Sequence, residues 1–317
     1  MVYKKLTAVL LFGLCGAGWA RGSDLRLGII GTDTSHVSAF AQLLNDDAAR
    51  DHVPGARVVA AYKGGSKDLE DSHSRVDKFA EELRTKWDVE LVPDIPTLCS
   101  KVDAVLLESV DGRVHLDQAR PVIAAHKPLF IDKPLASTLD DAREIARLAQ
   151  EAGVPWFSAS SLRYSEIATT MKFDDTQAAI TWGPGPFEAH HQLDLSYYAI
   201  HPVEMLYALL GPGCQEVTRI FTPDGDIITG LWKGGKTGTV RTIRPYGPYG
   251  AVVFRTQQVV QSSPEMLVDY RPLVVQIVKF FKSGVPPLPN DETLEIFAFM
   301  DAAQRSREAG GAPMKLR

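Results

Sequence analysis

The stretch LGIIGTDTSHVSAF, residues 27–40, decides the fold. Leu27, Ile29 and Ile30 form a short apolar run of the kind that makes a buried strand. Gly31 follows where the chain must turn sharply, and Val37, Phe40, Ala41 and Leu44 then recur at helical spacing. Thr34 or Ser35 can cap that helix. A strand, a tight turn and a helix start form the opening of a βαβ unit, whose helix N-terminus is a ready anion site.

The same alternation continues along the chain. ARVVAAY, VDAVLLES, PLFID and VPWFSAS read as further strands. SRVDKFAEELRTKW, VHLDQARPVIAAH and TLDDAREIARLAQEAG read as the helices between them, with Pro121 inside the second and Gly153 closing the third. Alternating elements of this kind predict a parallel sheet covered on both faces. After about Ser160 the texture changes to alternating runs joined by glycine-rich turns: AAITWGPGPFEAHHQ, GDIITGLWKGGKTGTVRTIR and GAVVFRTQQVVQS. These predict an antiparallel sheet. It is interrupted by one apolar helix, HPVEMLYALLG, and followed by two amphipathic helices at the end of the chain. The expected fold class is α/β: a Rossmann-like parallel-sheet domain over residues 24–157, then an α+β domain with a largely antiparallel sheet over 158–317.

Composition bounds the function. The 317 residues are 45% hydrophobic and 23% charged, with a formal net charge of -5. That balance belongs to a globular protein and gives no reason to expect a nucleic-acid partner. Residues 1–20 read separately. A basic start, MVYKK, precedes the apolar run LTAVLLFGLCGAGWA, and Gly18-Trp19-Ala20 fits a signal-cleavage site. The expectation is an exported chain, periplasmic or secreted, without a lasting membrane span. The start lacks twin arginines, so the chain is expected to cross unfolded and without a cofactor. Any cofactor is then expected to be held tightly or dispensed with. Cys99 and Cys214 remain after cleavage and are expected to stay unpaired, in different domains.

Three places carry chemistry. The first is the turn Gly31-Thr32-Asp33-Thr34-Ser35-His36. A dinucleotide turn uses glycine for tightness, for close approach of the pyrophosphate and for helix packing. Here only Gly31 survives. Asp33 brings a carboxylate toward phosphate and His36 brings bulk, while Thr32, Thr34 and Ser35 offer hydroxyls. At the end of the second strand, where an acid often holds a ribose, stands Lys63. It suits a 2'-phosphate, and hence NADP, or is simply a solvated loop lysine. The second place is FIDKPLA, where Lys133 ends a parallel strand and reaches the crevice in which such sheets bind ligands. The third is DLSYYAIHPVEMLYALLG, where His201 opens an apolar helix with Glu204 one turn on. A histidine there is a candidate general base or a core and capping residue. His190, His191 and His201 are not expected to form a metal site.

Together these pieces resemble the Gfo/Idh/MocA oxidoreductase family over nearly the whole chain after the leader. Asp132-Lys133-Pro134 is similar to the family's Glu-Lys-Pro motif, SASSLRY to its entry into the second domain, and His201 to the His of Asp-x-Gly-x-His-x-x-Asp. The resemblance implies hydride transfer between a nicotinamide cofactor, NAD or NADP, and a sugar, polyol or sugar derivative. It implies Lys133 beside the reacting hydroxyl, His201 as proton carrier, and the cofactor over Gly31. The family's Asp is Tyr197 here, its Gly is Ala199 and its later Asp is Glu204. Asp194 or Tyr197 is expected to take over the relay. The alternative is a redox-silent relative that binds or cleaves a carbohydrate in the old cleft. The open face of the second sheet is expected to seat a second copy of the chain.

Overall fold

The computed structural model describes residues 24–317. The leader expected over residues 1–20 lies outside the described residues. The first sheet has six strands: β1 (Leu25–Ile30), β2 (Ala56–Tyr62), β3 (Glu90–Leu91), β4 (Ala104–Leu107), β5 (Leu129–Asp132) and β6 (Trp156–Ala159). All are parallel, in the order β3-β2-β1-β4-β5-β6. Both faces are covered, which is why β4, β5 and β6 are buried at every position. Strand order reverses between β1 and β4, so the loops after these two strands flank the crevice where such a sheet takes its ligand.

Around this sheet run α1 (Ser35–Asn45), α2 (Glu70–His73), α3 (Val76–Trp87), α4 (Ile95–Lys101), α5 (His115–Ala124) and α6 (Leu139–Ala152). Helix α1 ends at Asn45. The buried Asn45 amide turns to β2, where it accepts from Val58 N–H and donates to Val58 C=O, both at 2.9 Å. The sequence pattern missed α2, the two-residue strand β3 and α4, all of them short.

The second half contributes α7 (Glu166–Thr170), α8 (Asp194–Tyr197) and α9 (Ile200–Leu210). Its seven strands are β7 (Thr176–Pro184), β8 (Cys214–Thr222), β9 (Gly225–Trp232), β10 (Thr237–Ile243), β11 (Gly250–Arg255), β12 (Val259–Gln261) and β13 (Met314–Lys315). Their order is β12-β11-β7-β10-β9-β8-β13, antiparallel except for the β7–β10 pair. The expected class, a Rossmann-like domain followed by a largely antiparallel α+β domain, is the one observed. Strand β8 was not expected, and the run after Pro184 is not strand but turn, which removes His190 and His191 from the sheet. The chain ends with α10 (Arg271–Ser283) and α11 (Asn290–Glu308).

Packing does not follow a clean cut at residue 157. Leu273, Ile277 and Phe280 of α10 return to the first sheet and share one core with Phe40, Phe130 and Phe157. Phe157 meets Phe280 edge to face at 5.0 Å between ring centres. Helix α9 is buried at every position, and α11 covers β8 with Phe299 against Trp232 and Tyr207. On β9, Ile227 and Leu231 remain exposed. Cys99 on α4 and Cys214 on β8 are both buried and free.

Candidate active site

A cavity of about 270 Å³ opens at the C-terminal end of the first sheet. One wall is the start of α1, with Thr34, Ser35 and His36. Lys133 enters from the end of β5, and Tyr197, Tyr198 and His201 enter from α8 and α9. Asp71 and Arg75 close one side, and Tyr246, Tyr249 and Tyr270 supply aromatic cover. The cavity therefore draws on both sheets, which brings residues 34, 133 and 201 together.

Lys133 is buried, and its Nζ lies 5.8 Å from the centre of the Tyr198 ring. That placement suits a cation held by a ring face rather than by a carboxylate. His201 is fixed by a 2.6 Å hydrogen bond between its Nδ1 and Ser160 Oγ, leaving Nε2 as the ring nitrogen not taken by Ser160. Burial, then the charges of Lys133 and His36, push the imidazole well below its ordinary value. It is neutral at physiological pH and able to accept a proton. Glu204 does not face the cavity. It takes Arg163 Nε at 2.7 Å, and Arg163 also pairs with Glu292 on α11.

The proposed relay residues part company. Tyr197 lines the cavity, but its hydroxyl donates to Asp71 Oδ2 at 2.8 Å. Burial and that bond hold the phenol far above its ordinary value, so it ties α8 to α2 and keeps its proton. Asp194 is not at the cavity. Its carboxylate takes Arg219 at 2.7 and 2.8 Å and Arg307 at 2.6 Å, inside the second half of the molecule. One acid between two guanidiniums is structural, and the expectation of a proton relay through Asp194 is corrected.

The turn after β1 is also rearranged. Gly31 has φ +88°, and a Cβ there would stand 2.4 Å from the backbone nitrogen of Ser109, so glycine is required for two loops to touch. Thr32 is fully buried and its hydroxyl donates to Val76 C=O at 2.8 Å, which removes it from any phosphate. Asp33 is buried as well. Its Oδ2 accepts from Ser72 Oγ at 2.6 Å and its Oδ1 from Val110 N–H at 3.1 Å. Burial raises its carboxyl above the ordinary value against the pull of those bonds. Thr34 caps α1, its Oγ1 accepting from His36 N–H at 3.4 Å. Lys63 is not in the cavity. It pairs with Asp77 at 2.8 Å, both side chains exposed.

These contacts test the fit of a dinucleotide. The α1 start and Lys133 face the cavity and suit its reacting end. The crevice between β1 and β4, where the rest would run, is crossed by contacts between its two flanking loops. Asp33 crosses from one flanking loop to the other through Val110, and Gly31 touches Ser109. Arg113 of the second loop further binds Asp68, after β2, through two 2.9 Å bonds. These links tie together the loops that flank the switch point.

Sequence reasoning missed Glu108, which ends β4 with its carboxylate fully buried and both oxygens without a hydrogen-bond partner. Burial, with Asp132 nearby, raises its carboxyl well above the ordinary value. A lone acid closing an apolar strand, AVLLES, was the available signal. Tyr246, Tyr249 and Tyr270 were also missed, because no motif marks them.

Comparison with known proteins agrees with this geometry. Residues 25–160 match the Gfo/Idh/MocA family, described as an oxidoreductase family with an NAD-binding Rossmann fold. The chain is 39% identical over 71 residues to 1,5-anhydro-D-fructose reductase of Ensifer adhaerens, a match taking in 22% of this chain and 21% of that reductase. Its fold is that of myo-inositol dehydrogenase from Lactobacillus casei, solved with NAD(H) and myo-inositol: TM-score 0.71 at 17% identity, over 93% of this chain and 97% of that one. An NAD-binding oxidoreductase from Klebsiella pneumoniae superposes with TM-score 0.73 at 17% identity, over 93% and 100% of the two chains.

Proposed function

We propose that the whole chain is a Gfo/Idh/MocA-type oxidoreductase acting on a small polyhydroxylated substrate, a sugar, polyol or sugar derivative. The observation that carries this reading is the meeting of Lys133 and His201 in one cavity at the C-terminal end of the parallel sheet. Neutral His201, held by Ser160, accepts the proton of a substrate hydroxyl. Lys133 stabilises the oxygen as charge develops on it. The tyrosines offer ring faces to the carbon skeleton and hydroxyls to its polar edge, the usual make-up of a selective small-molecule site. A nicotinamide dinucleotide, NAD or NADP, supplies the hydride acceptor in this chemistry. Admission of that cofactor depends on parting the Asp33 bridge, and exchangeable binding is accordingly weak.

The Asp33 bridge also favours a second reading, redox-neutral chemistry on a similar substrate in the same cavity. One experiment separates the two. The purified chain is titrated calorimetrically with NADH and NADPH, beside an Asp33→Gly variant. The expected result is weak binding in the wild type and at least about tenfold tighter binding in the variant, one bridge being worth about 1.4 kcal/mol or more. Low-micromolar binding in the wild type that Asp33→Gly does not improve would show that the bridge is no obstacle. Turnover of a sugar derivative with no nucleotide bound in either protein gives the site to the redox-neutral reading. Export rests on the pattern of residues 1–20 and is tested by N-terminal sequencing, where an intact Met1 on the folded protein counts against it.

A further inference from the structure

His36, Glu108 and Asp132 meet beneath the floor of the cavity. Each offers one ligand atom, and the three atoms lie within 4.8 Å of one another. They stand on the start of α1 and on the ends of β4 and β5, three adjacent elements that hold them rigidly. All three side chains are buried.

Their polar atoms are unsatisfied in a way burial rarely tolerates. Both Glu108 oxygens and Asp132 Oδ1 lack any hydrogen-bond partner among the described residues. His36 Nδ1 lies 2.6 Å from Asp132 Oδ2 without hydrogen-bond geometry. The facing cation, Lys133, makes no salt bridge to either carboxylate among the described residues; its Nζ lies over the Tyr198 ring. Two buried carboxyl groups side by side need a polar or charged partner at close range. The partial positive charge at the α1 start, about half a unit, does not meet that need alone.

We infer that His36, Glu108 and Asp132 form a binding site for one divalent metal ion. One imidazole nitrogen with two carboxylates is a borderline donor set, suited to Zn²⁺, Mn²⁺ or Fe²⁺ rather than to a soft ion. Three protein ligands leave coordination positions open, and His36 lines the cavity, so the open side faces the bound small molecule. A cation there polarises a substrate oxygen beside Tyr270, whose ring centre lies 4.6 Å from that of His36. His36 thereby has a reason to stand where a dinucleotide turn places glycine. The inference rests on this geometry and not on nucleotide binding.

The test is calorimetric titration of the chelator-stripped chain with Mn²⁺, and separately with Zn²⁺, in the absence of nucleotide and sugar. One equivalent is expected to bind saturably. Glu108→Gln keeps the shape and removes a ligand charge, and His36→Ala removes the nitrogen; each is expected to weaken binding by at least about tenfold. Near-ultraviolet dichroism checks that each variant is folded, and Glu108→Gln carries the test if His36→Ala is not. No saturable uptake by the wild type, or uptake that Glu108→Gln leaves unchanged, overturns the inference. Failure of the nucleotide titration leaves it standing, because the two experiments share no ligand.

Discussion

Lys133 and Asp33 show how single residues divide the work of the cleft. Lys133 is buried in the cavity with its ammonium over a tyrosine ring. Lys133→Ala is expected to lower kcat/KM by about 10²–10⁴-fold while the thermal unfolding midpoint stays close to that of the wild type. Steady-state kinetics with the accepted substrate checks this, and an unchanged kcat/KM removes Lys133 from the chemistry. Asp33 reads in the sequence as a repulsive charge at a phosphate site. In the fold its carboxylate turns away and fastens Ser72 and Val110. The residue thus joins two loops rather than presenting a free charge to the cleft.

At the scale of elements, α9 is the most revealing. Eleven consecutive buried residues leave His201 and Glu204 no solvent to face. His201 finds Ser160 and the cavity; Glu204 finds Arg163. Burial keeps His201 neutral in the fold, with its value well below the ordinary one. The unfolded chain takes up that proton near pH 6.5. A base whose folded value is depressed leaves stability intact above the unfolded value and lowers it as pH falls. Acidification below about pH 6.5 is therefore expected to cost stability, with a slope of at most about 1.4 kcal/mol per pH unit from this group. Urea unfolding at pH 7.5 and 5.5 measures it, and His201→Asn should flatten the dependence. A slope that the variant leaves unchanged assigns the effect to other groups.

For the whole molecule, the decisive feature is how the two sheets are joined. Arg163, just after β6, is clasped between Glu204 on α9 and Glu292 on α11. These three segments bridge the parallel sheet to the second half and so hold Lys133 and His201 on one cavity. Arg163→Met leaves two buried carboxylates without their cation. Such a loss is expected to destabilise the fold by about 3–5 kcal/mol, read as a lower urea midpoint. An unfolding free energy within about 0.5 kcal/mol of the wild type would show the clasp to be incidental.

The sequence by itself determined the class of fold and the two chemical poles of the cleft. Apolar strand runs alternating with helices admit only a covered parallel sheet, and DKP at the end of such a strand places Lys133 in its crevice. His201 was legible for a similar reason, as an ionisable group opening an apolar helix. Helix α10 was legible as a helix but not as part of the first sheet's core, because nothing local links Phe280 to Phe157. Ser160, Tyr246, Tyr249 and Tyr270 were beyond reach, since their neighbours are distant in the chain. The roles of Asp33, Tyr197 and Asp194 were decided by the tertiary structure alone. A carboxylate or phenol has the same composition whether it meets a phosphate, a serine or two arginines, and only folding chooses its partner.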